Sequence, residues 1–456
     1  MRKLLEQILR YFASAILKKY KPKIIGITGS VGKTTTKEAV FAVLSPHFKV
    51  RKSEKSYNNE LGLPLTIIGA EAGGKSPIRW LGVFLKAIWL LINPLSLSLF
   101  SRSENRGRKS GGYPEILILE MAADKPGDIK YFLRFVKCDI GVVTAVGPAH
   151  LEQFKELDKI VKEKSRVVSE LGQNGVAILN FDDENVREMR QTTKAKVITF
   201  GFSAPSPRWA QQGGSASGGG ESADLKCVEF IPGSVIFEES QLKTDGVSFK
   251  LVSNGKAVPV HLPNVLGRQQ IYAALAAAAV GIVFDLNLIE IAESLSRYKS
   301  PPGRMNIIAG VKNTILIDDS YNASPRSVLA ALEVLSFLPA IAGARKFAAL
   351  GDMRELGDYT EKAHREIGKA VVEDNINYLV TAGSDASTIG KEAEKRGMSM
   401  DNIFSFDFAE DAGRFLQDRI KQGDIILIKG SRAMQMEKIV RELMAEPLKA
   451  EELLIH

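Results

Sequence analysis

The chain has 456 residues, of which 45% are hydrophobic and 25% charged, and its formal net charge is +8. That length predicts roughly three domains at ~150 residues each, and the balanced composition excludes a disordered or fibrous protein. Two cysteines and five histidines are too few for a disulfide framework or a histidine-built metal centre, so a multidomain α/β enzyme is the expected class.

The positive charge is concentrated in two segments. Residues 1–23 and residues 75–110 each hold seven Lys or Arg and one Glu, so the rest of the chain has a net charge of −4. Both segments flank apolar sequence, whereas a nucleic-acid binder more often interleaves its basic residues with aromatic stacking platforms. We therefore expect no nucleic-acid partner, and the pattern favours a membrane surface.

The first predicted element is a helix over residues 1–20. Apolar residues recur there at helical spacing, with Lys and Arg between them, and Pro22 ends the helix because proline cannot continue its hydrogen bonds. A basic amphipathic helix either packs on the body of the protein or lies in the headgroup region of an anionic membrane. The segment lacks the small-residue cleavage site of a secretory signal. We predict a cytoplasmic protein, with peripheral contact at the inner face of the membrane.

The most hydrophobic segment covers residues 77–100. Arg79 and Lys86 interrupt it and Asn93-Pro94 breaks it, so its uncharged run is short of the ~20 residues that a bilayer span needs. We predict one or two interfacial or partner-binding helices, which with residues 1–20 would make the membrane contact.

Short apolar runs then alternate with helical segments, the pattern of parallel sheets covered by helices. A Gly/Ser/Pro-rich stretch at 202–224 predicts a flexible loop, and Ser300-Pro301-Pro302-Gly303 predicts a domain boundary. We expect an α/β protein with three parts: an N-terminal helix (1–22), a central nucleotide-binding domain with a parallel sheet (23–300), and a C-terminal Rossmann-like domain (301–456).

The sharpest motif is a glycine-rich turn between an apolar strand and a helix. Backbone N–H groups in such a turn bind nucleotide phosphates, while its lysine reaches the β- and γ-phosphates and its threonine ligates Mg²⁺. Ile27 stands where the strict P-loop pattern has glycine, so this is a variant. The predicted nucleotide-binding residues are Gly29, Ser30, Gly32, Lys33, Thr34 and Thr35.

Three further residues are candidates for metal chemistry. Glu120 ends the apolar strand ILILE, a position from which a carboxylate can meet a nucleotide-bound Mg²⁺. His150 follows another strand in a Gly-Pro-Ala-His turn, where a lone histidine is more often structural. Lys164 lies on a Lys/Glu-rich helix, where most lysines are solvated.

Several segments in one order resemble the Mur ligase family, from about Ile24 to Leu443. They resemble in particular the branch that joins D-alanyl-D-alanine to UDP-N-acetylmuramoyl-tripeptide in peptidoglycan synthesis. The segments are GITGSVGKTTTKE, YNNELGLPLTI, LEMAADKPGDI, GPAHLEQF, LNFDDENV, GRMNI, IDDSYNASPRS, LGDMRELG and KGSRAMQMEKIV.

The resemblance implies two Mg²⁺ ions, held by Thr34, Glu120, His150 and Lys164, the last as a carbamate. Lys33, His150 and Lys164 would be catalytic. ATP would also contact Gln270, Arg304 and Asp319, although Ala273 stands where the family has a second asparagine. The substrate residues implied are Asn58, Asn59, Tyr321, Asn322, Lys429, Ser431 and Arg432, with Asp318 in the same loop.

The implied reaction is ATP-dependent amide formation through an acyl phosphate. The P-loop begins at about residue 26, where the family usually has a separate uridine-binding domain before it. We therefore expect the UDP-sugar to be held by the central domain, or the substrate to differ. A Mur-type ligase with another acyl donor or amine acceptor remains open, as does a non-ligating P-loop NTPase that acts as a membrane regulator. The combination of Glu120, His150 and Lys164 argues against the regulator.

Overall fold

The computed structural model describes residues 2–54, 57–93, 112–203, 222–238, 241–339 and 343–455. Most of the predicted flexible loop at 202–224, and the part of the apolar segment that follows Asn93, lie outside the described residues.

A nine-stranded sheet forms the centre of the first part of the chain. Its order is β11-β10-β7-β6-β5-β4-β1-β3-β2, parallel from β2 to β7, with β10 and β11 added antiparallel at one edge. Its inner strands are runs of Ile, Val and Leu because both faces of a parallel sheet are covered. The strands are β1 (Lys23–Thr28), β2 (Val50–Lys52), β3 (Ile116–Glu120), β4 (Ile140–Val143), β5 (Val176–Asn180), β6 (Lys196–Phe202), β7 (Leu225–Ile231), β10 (Val247–Ser253) and β11 (Lys256–Leu262).

Helices cover both faces of this sheet. One face packs against α2 (Lys33–Leu44), α9 (Arg268–Val283) and α10 (Leu288–Leu295), and the small alanines of α9 let it lie close to α2. The helices that contribute to the core of the other face are α1 (Arg2–Tyr20), α3 (Gly62–Ile68), α4 (Pro77–Ile92), α5 (Asp128–Leu133), α6 (Leu151–Phe154), α7 (Leu157–Ser169) and α8 (Glu184–Arg187).

The described parts of the two apolar segments, α1 and α4, pack on each other. Leu9, Ala13 and Ile16 on the inner face of α1 are buried. This face of the helix therefore packs on the body of the protein, the first of the two alternatives predicted for it. Lys19 Nζ donates to the carbonyls of Leu90, Leu91 and Asn93 at 2.8–3.1 Å and so caps the C-terminus of α4. Within the described part of the chain, no helix is both long and apolar enough to cross a membrane.

A six-stranded sheet, of order β12-β13-β17-β14-β15-β16, forms the second part. It is parallel except for β12, and helices cover both faces, which confirms the predicted α/β class. The strands are β12 (Asn306–Gly310), β13 (Thr314–Asp319), β14 (Lys346–Gly351), β15 (Tyr378–Ala382), β16 (Ile403–Phe406) and β17 (Ile425–Lys429). The helices are α11 (Pro325–Phe337), α12 (Thr360–Glu373), α13 (Ser387–Lys395), α14 (Ala409–Arg419), α15 (Glu437–Leu443) and α16 (Ala450–Leu453).

A hairpin of β8 (Val235–Glu238) and β9 (Gln241–Thr244) leaves the first sheet and packs against the second part of the chain. Val235 is buried in the hydrophobic core that includes Met305 and the apolar face of α11. The first part of the chain thus supplies side chains to the core of the second.

The position of α7 depends on Gly141 in β4. A Cβ at Gly141 would lie 2.7 Å from the Val167 carbonyl oxygen, so only glycine lets α7 approach the strand this closely. We expect Gly141→Ala to lower the free energy of unfolding by about 1–3 kcal/mol, as overpacking does, in urea denaturation. Gly172→Ala is the matched control, since no atom lies within 4 Å of its added Cβ. Equal effects of the two changes would contradict this account of α7.

Candidate functional site

Polar side chains collect where the parallel strands of both sheets end. Thr28, Glu120 and Asn180 close strands of the first sheet, and Asp319 and Lys429 close neighbouring strands of the second. Ligands of α/β proteins bind at this carboxyl edge. The two edges enclose a cavity of about 420 Å³, within the ~300–1,000 Å³ range of small-molecule sites.

The glycine-rich turn has the conformation of an anion-binding loop. Gly29 has φ +152°, and a Cβ there would lie 2.0 Å from Thr144 Oγ1. Gly32, at φ +84°, begins α2 in a left-handed conformation that favours glycine. Ser30 N donates to Ala145 O at 2.6 Å, which fixes the turn to the segment after β4. The N-terminus of α2 therefore points its free N–H groups into the cavity.

Two lysines, the partly buried Lys33 and the buried Lys164, meet at one carbonyl oxygen of this turn. Lys33 Nζ and Lys164 Nζ donate to Gly29 O at 2.9 and 3.1 Å. Burial lowers the pKa of Lys33, with Glu120 opposing the shift. Burial, together with the charge of Lys33, lowers the pKa of Lys164 to about 7. Two amines so placed repel each other when both are charged, which favours an anionic group beside them.

Glu120 is buried against α2 and has one oxygen that is not used. Its Oε1 accepts from Thr34 Oγ1 at 3.1 Å and from Asn58 Nδ2 at 3.2 Å. Its Oε2 has no hydrogen-bond partner among the residues that the structure describes, and Lys37 Nζ lies 3.8 Å away. A buried carboxylate oxygen beside a threonine hydroxyl is a hard donor set that fits Mg²⁺. Sequence reasoning missed Lys37, since a lysine on a helix is usually solvated.

His150 faces two carboxylates. Its Nδ1 lies 2.6 Å from Glu355 Oε2 and its Nε2 3.6 Å from Asp124 Oδ1. Contact with His150 lowers the pKa of Glu355. Among the described residues, no three or more His, Cys, Asp and Glu side chains converge as a metal-holding group. The predicted role of His150 as a metal ligand remains a prediction, and Glu355, inside the LGDMRELG segment, is a contact that the sequence reasoning did not single out.

The second part of the chain reaches directly into the P-loop. Arg304 Nη2 donates to Thr34 Oγ1 at 2.9 Å, and its guanidinium lies 4.2 Å from the centre of the Tyr321 ring. Lys429 Nζ lies 2.6 Å from Asp319 Oδ2 and also donates to Asn322 O. Burial raises the pKa of Asp319, and Lys429 opposes that shift. Lys429 thus holds the loop after β13 in place.

Most of the predicted site residues line the cavity, but several also have local partners. The Gln270 amide bonds to Ser300 and Tyr298, Arg432 pairs with Glu437, and Asp318 accepts from Ser320 N. Gly29, Lys164 and Asn59 do not line the cavity, and Asn59 accepts from Gly62 N at the start of α3. The predicted residues that line the cavity are Ser30, Gly32, Lys33, Thr34, Thr35, Asn58, Glu120, His150, Gln270, Arg304, Asp319, Tyr321, Asn322, Lys429, Ser431 and Arg432.

A buried ion pair that the sequence did not reveal joins the two parts of the chain. Arg326, on α11, contacts the Asp183 carboxylate through Nη1, and both side chains are almost fully buried. Asp183 Oδ2 also accepts from Val146 N at 3.0 Å, and the Arg326 side chain packs against Gly147. The pair therefore connects α11 to the turn that carries His150.

Comparison with known proteins agrees with this geometry. The family model for the Mur ligase middle domain matches residues 27–76 and 108–281, and that for the Mur ligase, glutamate ligase domain matches residues 303–432. The chain is 28% identical to the UDP-N-acetylmuramoyl-tripeptide–D-alanyl-D-alanine ligase of Bacillus subtilis, covering 96% of this chain and 80% of the relative. It is 30% identical to the ligase of that name from Mycobacterium leprae, covering 93% and 74%. The structure of MurF ligase from Thermotoga maritima with ADP has the same fold, with a TM-score of 0.70, 24% identity and coverage of 98% and 84%.

The lowered pKa of Lys164 predicts a stability that depends on pH. In the unfolded chain this lysine keeps its ordinary pKa of 10.5, so between about pH 7 and 10.5 the unfolded state binds more protons and stability rises with pH. Lys164→Met removes the free-energy cost of burying a charged amine. Because one pKa unit corresponds to about 1.4 kcal/mol, we expect Lys164→Met to stabilise the carbon-dioxide-free protein by roughly 4 kcal/mol at pH 7, with a smaller gain at pH 9.5.

Urea denaturation at the two pH values measures this difference, and Lys162→Met, at an exposed position two residues away, is the control. A gain that is the same at both pH values would contradict a buried, desolvated Lys164.

The Arg326–Asp183 pair predicts that closure of the two parts depends on Arg326. Removing one partner of a buried ion pair lowers the stability of the closed arrangement by about 3–5 kcal/mol. Part of this free energy is recovered when the two parts separate and water reaches Asp183. We expect Arg326→Met to lower kcat/KM by about tenfold or more. Each tenfold loss corresponds to ~1.4 kcal/mol of activation free energy. The dissociation constant of ADP at the P-loop should change by a smaller factor.

Steady-state kinetics and calorimetric ADP titration measure the two effects. Arg345→Met is the matched control, because its ion pair with Asp424 lies within the second part. A control that loses as much kcat/KM as Arg326→Met would assign the effect to lost stability rather than to closure.

Proposed function

Since this chain belongs to the Mur ligase family, we propose that it is an ATP-dependent, ADP-forming ligase that joins D-alanyl-D-alanine to UDP-N-acetylmuramoyl-tripeptide in peptidoglycan synthesis. The relatives from Bacillus subtilis and Mycobacterium leprae are named for that reaction. The observation that carries the proposal is the contact of Arg304 with Thr34, which brings a cation of the second part onto the P-loop beside Glu120.

The P-loop would bind the triphosphate of ATP. The N–H groups at the start of α2 and the Lys33 amine face the same cavity, and Arg304 adds a third source of positive charge. Thr34 and the unpartnered oxygen of Glu120 would hold Mg²⁺, which offsets charge on the transferring phosphoryl oxygens. Lys37 Nζ, itself almost fully buried, lies 3.8 Å from Glu120 Oε2 on the side of α2.

Amide formation would then proceed in two steps. A carboxylate oxygen of the acyl donor attacks the γ-phosphorus, and ADP leaves with the electrons of the broken P–O bond, giving an acyl phosphate. The amine of the dipeptide attacks the activated carbonyl carbon, loses a proton and expels inorganic phosphate. The buried Arg326–Asp183 pair and the Glu355–His150 contact hold the cavity closed, which limits hydrolysis of the acyl phosphate by water. We propose that closure occurs between a central domain (23–300) and a C-terminal domain (301–456).

A second Mg²⁺ would need oxygen ligands of its own. We propose that Lys164 carries a carbamate and holds this ion together with His150. The lysine is almost fully buried and shares Gly29 O with Lys33, so converting its amine to an anion removes a repulsion between two cations. The lowered pKa of Lys164 leaves part of its amine neutral near pH 7, and the neutral form is the one that reacts with carbon dioxide.

The substrates would be divided between the two edges of the cavity. Asn58, which shares Glu120 Oε1 with Thr34, would border the acyl donor, with Asn59 beside it. Tyr321, Asn322, Ser431 and Arg432 would meet the dipeptide, with Lys429 holding their loop. Because Arg432 pairs with Glu437, it would need to leave that partner before it could bind a carboxylate.

We also propose that the enzyme is a cytoplasmic protein that works peripherally at the inner face of the membrane. The support is the position of the two basic, apolar segments, residues 1–20 and 77–100, whose described parts form adjacent helices. The described portion of this surface is α1 and α4.

Product formation tests the ligase proposal. The purified chain receives ATP, Mg²⁺, bicarbonate, UDP-N-acetylmuramoyl-tripeptide and D-alanyl-D-alanine, and mass spectrometry follows the nucleotide-sugar while phosphate release is measured. We expect a product heavier by the dipeptide minus water, with one phosphate per product. Lys33→Met and Lys164→Met should lower kcat by about 10²–10³, the usual loss for one electrostatic stabiliser.

Lys162→Met is the control for both variants and should retain activity, since this exposed lysine lies on the same helix as Lys164. Activity of the wild type should fall in carbon-dioxide-free buffer and return with bicarbonate if Lys164 is carbamylated. Phosphate release without the peptide product would move the search to another amine acceptor. An absence of ATP turnover with every acceptor tested would contradict the ligase proposal.

A further inference from the structure

The large apolar side chains that the described residues leave exposed are not spread evenly. Sixteen large hydrophobic residues are exposed, and nine of them belong to α1 and α4. The three on α1 are Leu4, Ile8 and Tyr11, and the six on α4 are Ile78, Leu81, Leu85, Ile88, Trp89 and Ile92. Scattered exposed apolar residues need no explanation, but a contiguous set on two packed helices marks an interaction surface.

The six residues on α4 form one stripe along the helix. Their spacing of three and four residues places them on a single face, and Ile78 and Ile92 at its two ends are 82% and 73% exposed. The opposite face, with Val83, Ala87 and Leu90, is buried. A helix that is apolar on both sides is stable when both sides are covered, and the residues that the structure describes cover only one.

Contacts at both ends hold α4 in place, so the stripe has a fixed position on the surface. Ser76 Oγ caps its N-terminus by accepting from Arg79 N, and Trp80 Nε1 donates to Gly74 O at 3.1 Å. At the other end, Lys19 caps the C-terminus and Tyr20 OH donates to Leu90 O at 2.7 Å. These contacts come from α1 and from the loop before α4, so the two helices form one unit.

The charges around the stripe select the kind of surface that can cover it. Lys75, Arg79 and Lys86 are exposed beside it, and α4 contains no Asp or Glu. A partner protein of ordinary composition would place carboxylates at a few points, whereas an anionic lipid surface offers negative charge all around an apolar interior. Trp89, at 57% exposure, is the amphipathic ring that favours the headgroup level.

We propose that α4 lies in the plane of an anionic lipid bilayer, with its stripe among the acyl chains and Lys75 and Arg79 at the headgroups. This deepens the proposed peripheral location, for which it names the contacting face and the lipid chemistry. Leu4, Ile8 and Tyr11 are exposed on α1, the helix that packs beside α4. A helix of this kind lies on a membrane rather than crossing it.

Flotation of the full chain with lipid vesicles tests the proposal. We expect co-flotation with vesicles that contain phosphatidylglycerol and little with phosphatidylcholine alone. Leu85→Glu/Trp89→Glu should lower the bound fraction by more than about tenfold, because two buried apolar side chains are lost. Lys75→Gln/Arg79→Gln should weaken binding to the anionic vesicles roughly fivefold per charge.

The matched control is Ile289→Glu/Phe337→Glu, which puts the same charges on exposed apolar positions away from α4 (63% and 69% exposed) and should leave flotation unchanged. Equal losses in the control and the stripe variant would overturn the proposal, as would an absence of flotation. A dimer seen by light scattering that the stripe variant dissociates, without vesicle binding, would assign the stripe to a second copy of the chain and also overturn it. Ligase activity with soluble substrates should be the same in all three variants, so failure of the membrane contact is separable from failure of the ligase.

Discussion

The meeting of two lysine amines at the carbonyl oxygen of Gly29 is the constraint on which the rest of the site depends. Lys33 arrives from the first turn of α2 and Lys164 from α7, and each is desolvated by its surroundings. Such an arrangement is unfavourable until anions occupy the cavity. The glycine-rich turn, the close packing of α7 on Gly141 and the N-terminus of α2 all serve to keep positive charge concentrated where phosphates would bind.

The second part of the chain completes this charge arrangement. Arg304 contacts Thr34 of the P-loop, Glu355 contacts His150, and Arg326 is buried against Asp183. None of these pairs lies within one sheet, so each of them requires that the two parts approach. In the proposed function Arg304 takes part both in nucleotide binding and in closure of the cavity, so the two would be coupled through this side chain.

The sequence was sufficient for the fold and for the P-loop side of the site, because both follow from local patterns. Apolar runs between helical segments predict the parallel strands, and Lys33, Thr34 and Glu120 occupy fixed positions relative to the ends of β1 and β3. Lys37 and Arg326 could not be found in this way. A single charged residue on a helix has no local signature of burial, and its partner lies on another element. Arg432 shows the converse problem, since the residue type suggested a carboxylate ligand while Glu437, five positions on, already supplies one.

The β8–β9 hairpin has a consequence for how the protein is made. Val235, with Phe237 and Leu242 packed beside it, joins a core whose other members come from Leu266, Met305 and the elements after residue 306. On the ribosome, the hairpin emerges while that core has not yet been synthesised, and its apolar side chains stay in water until α11 and β13 appear. The first part of the chain therefore cannot reach its final state on its own, and the interval before α11 is translated is when the nascent chain is most exposed to aggregation.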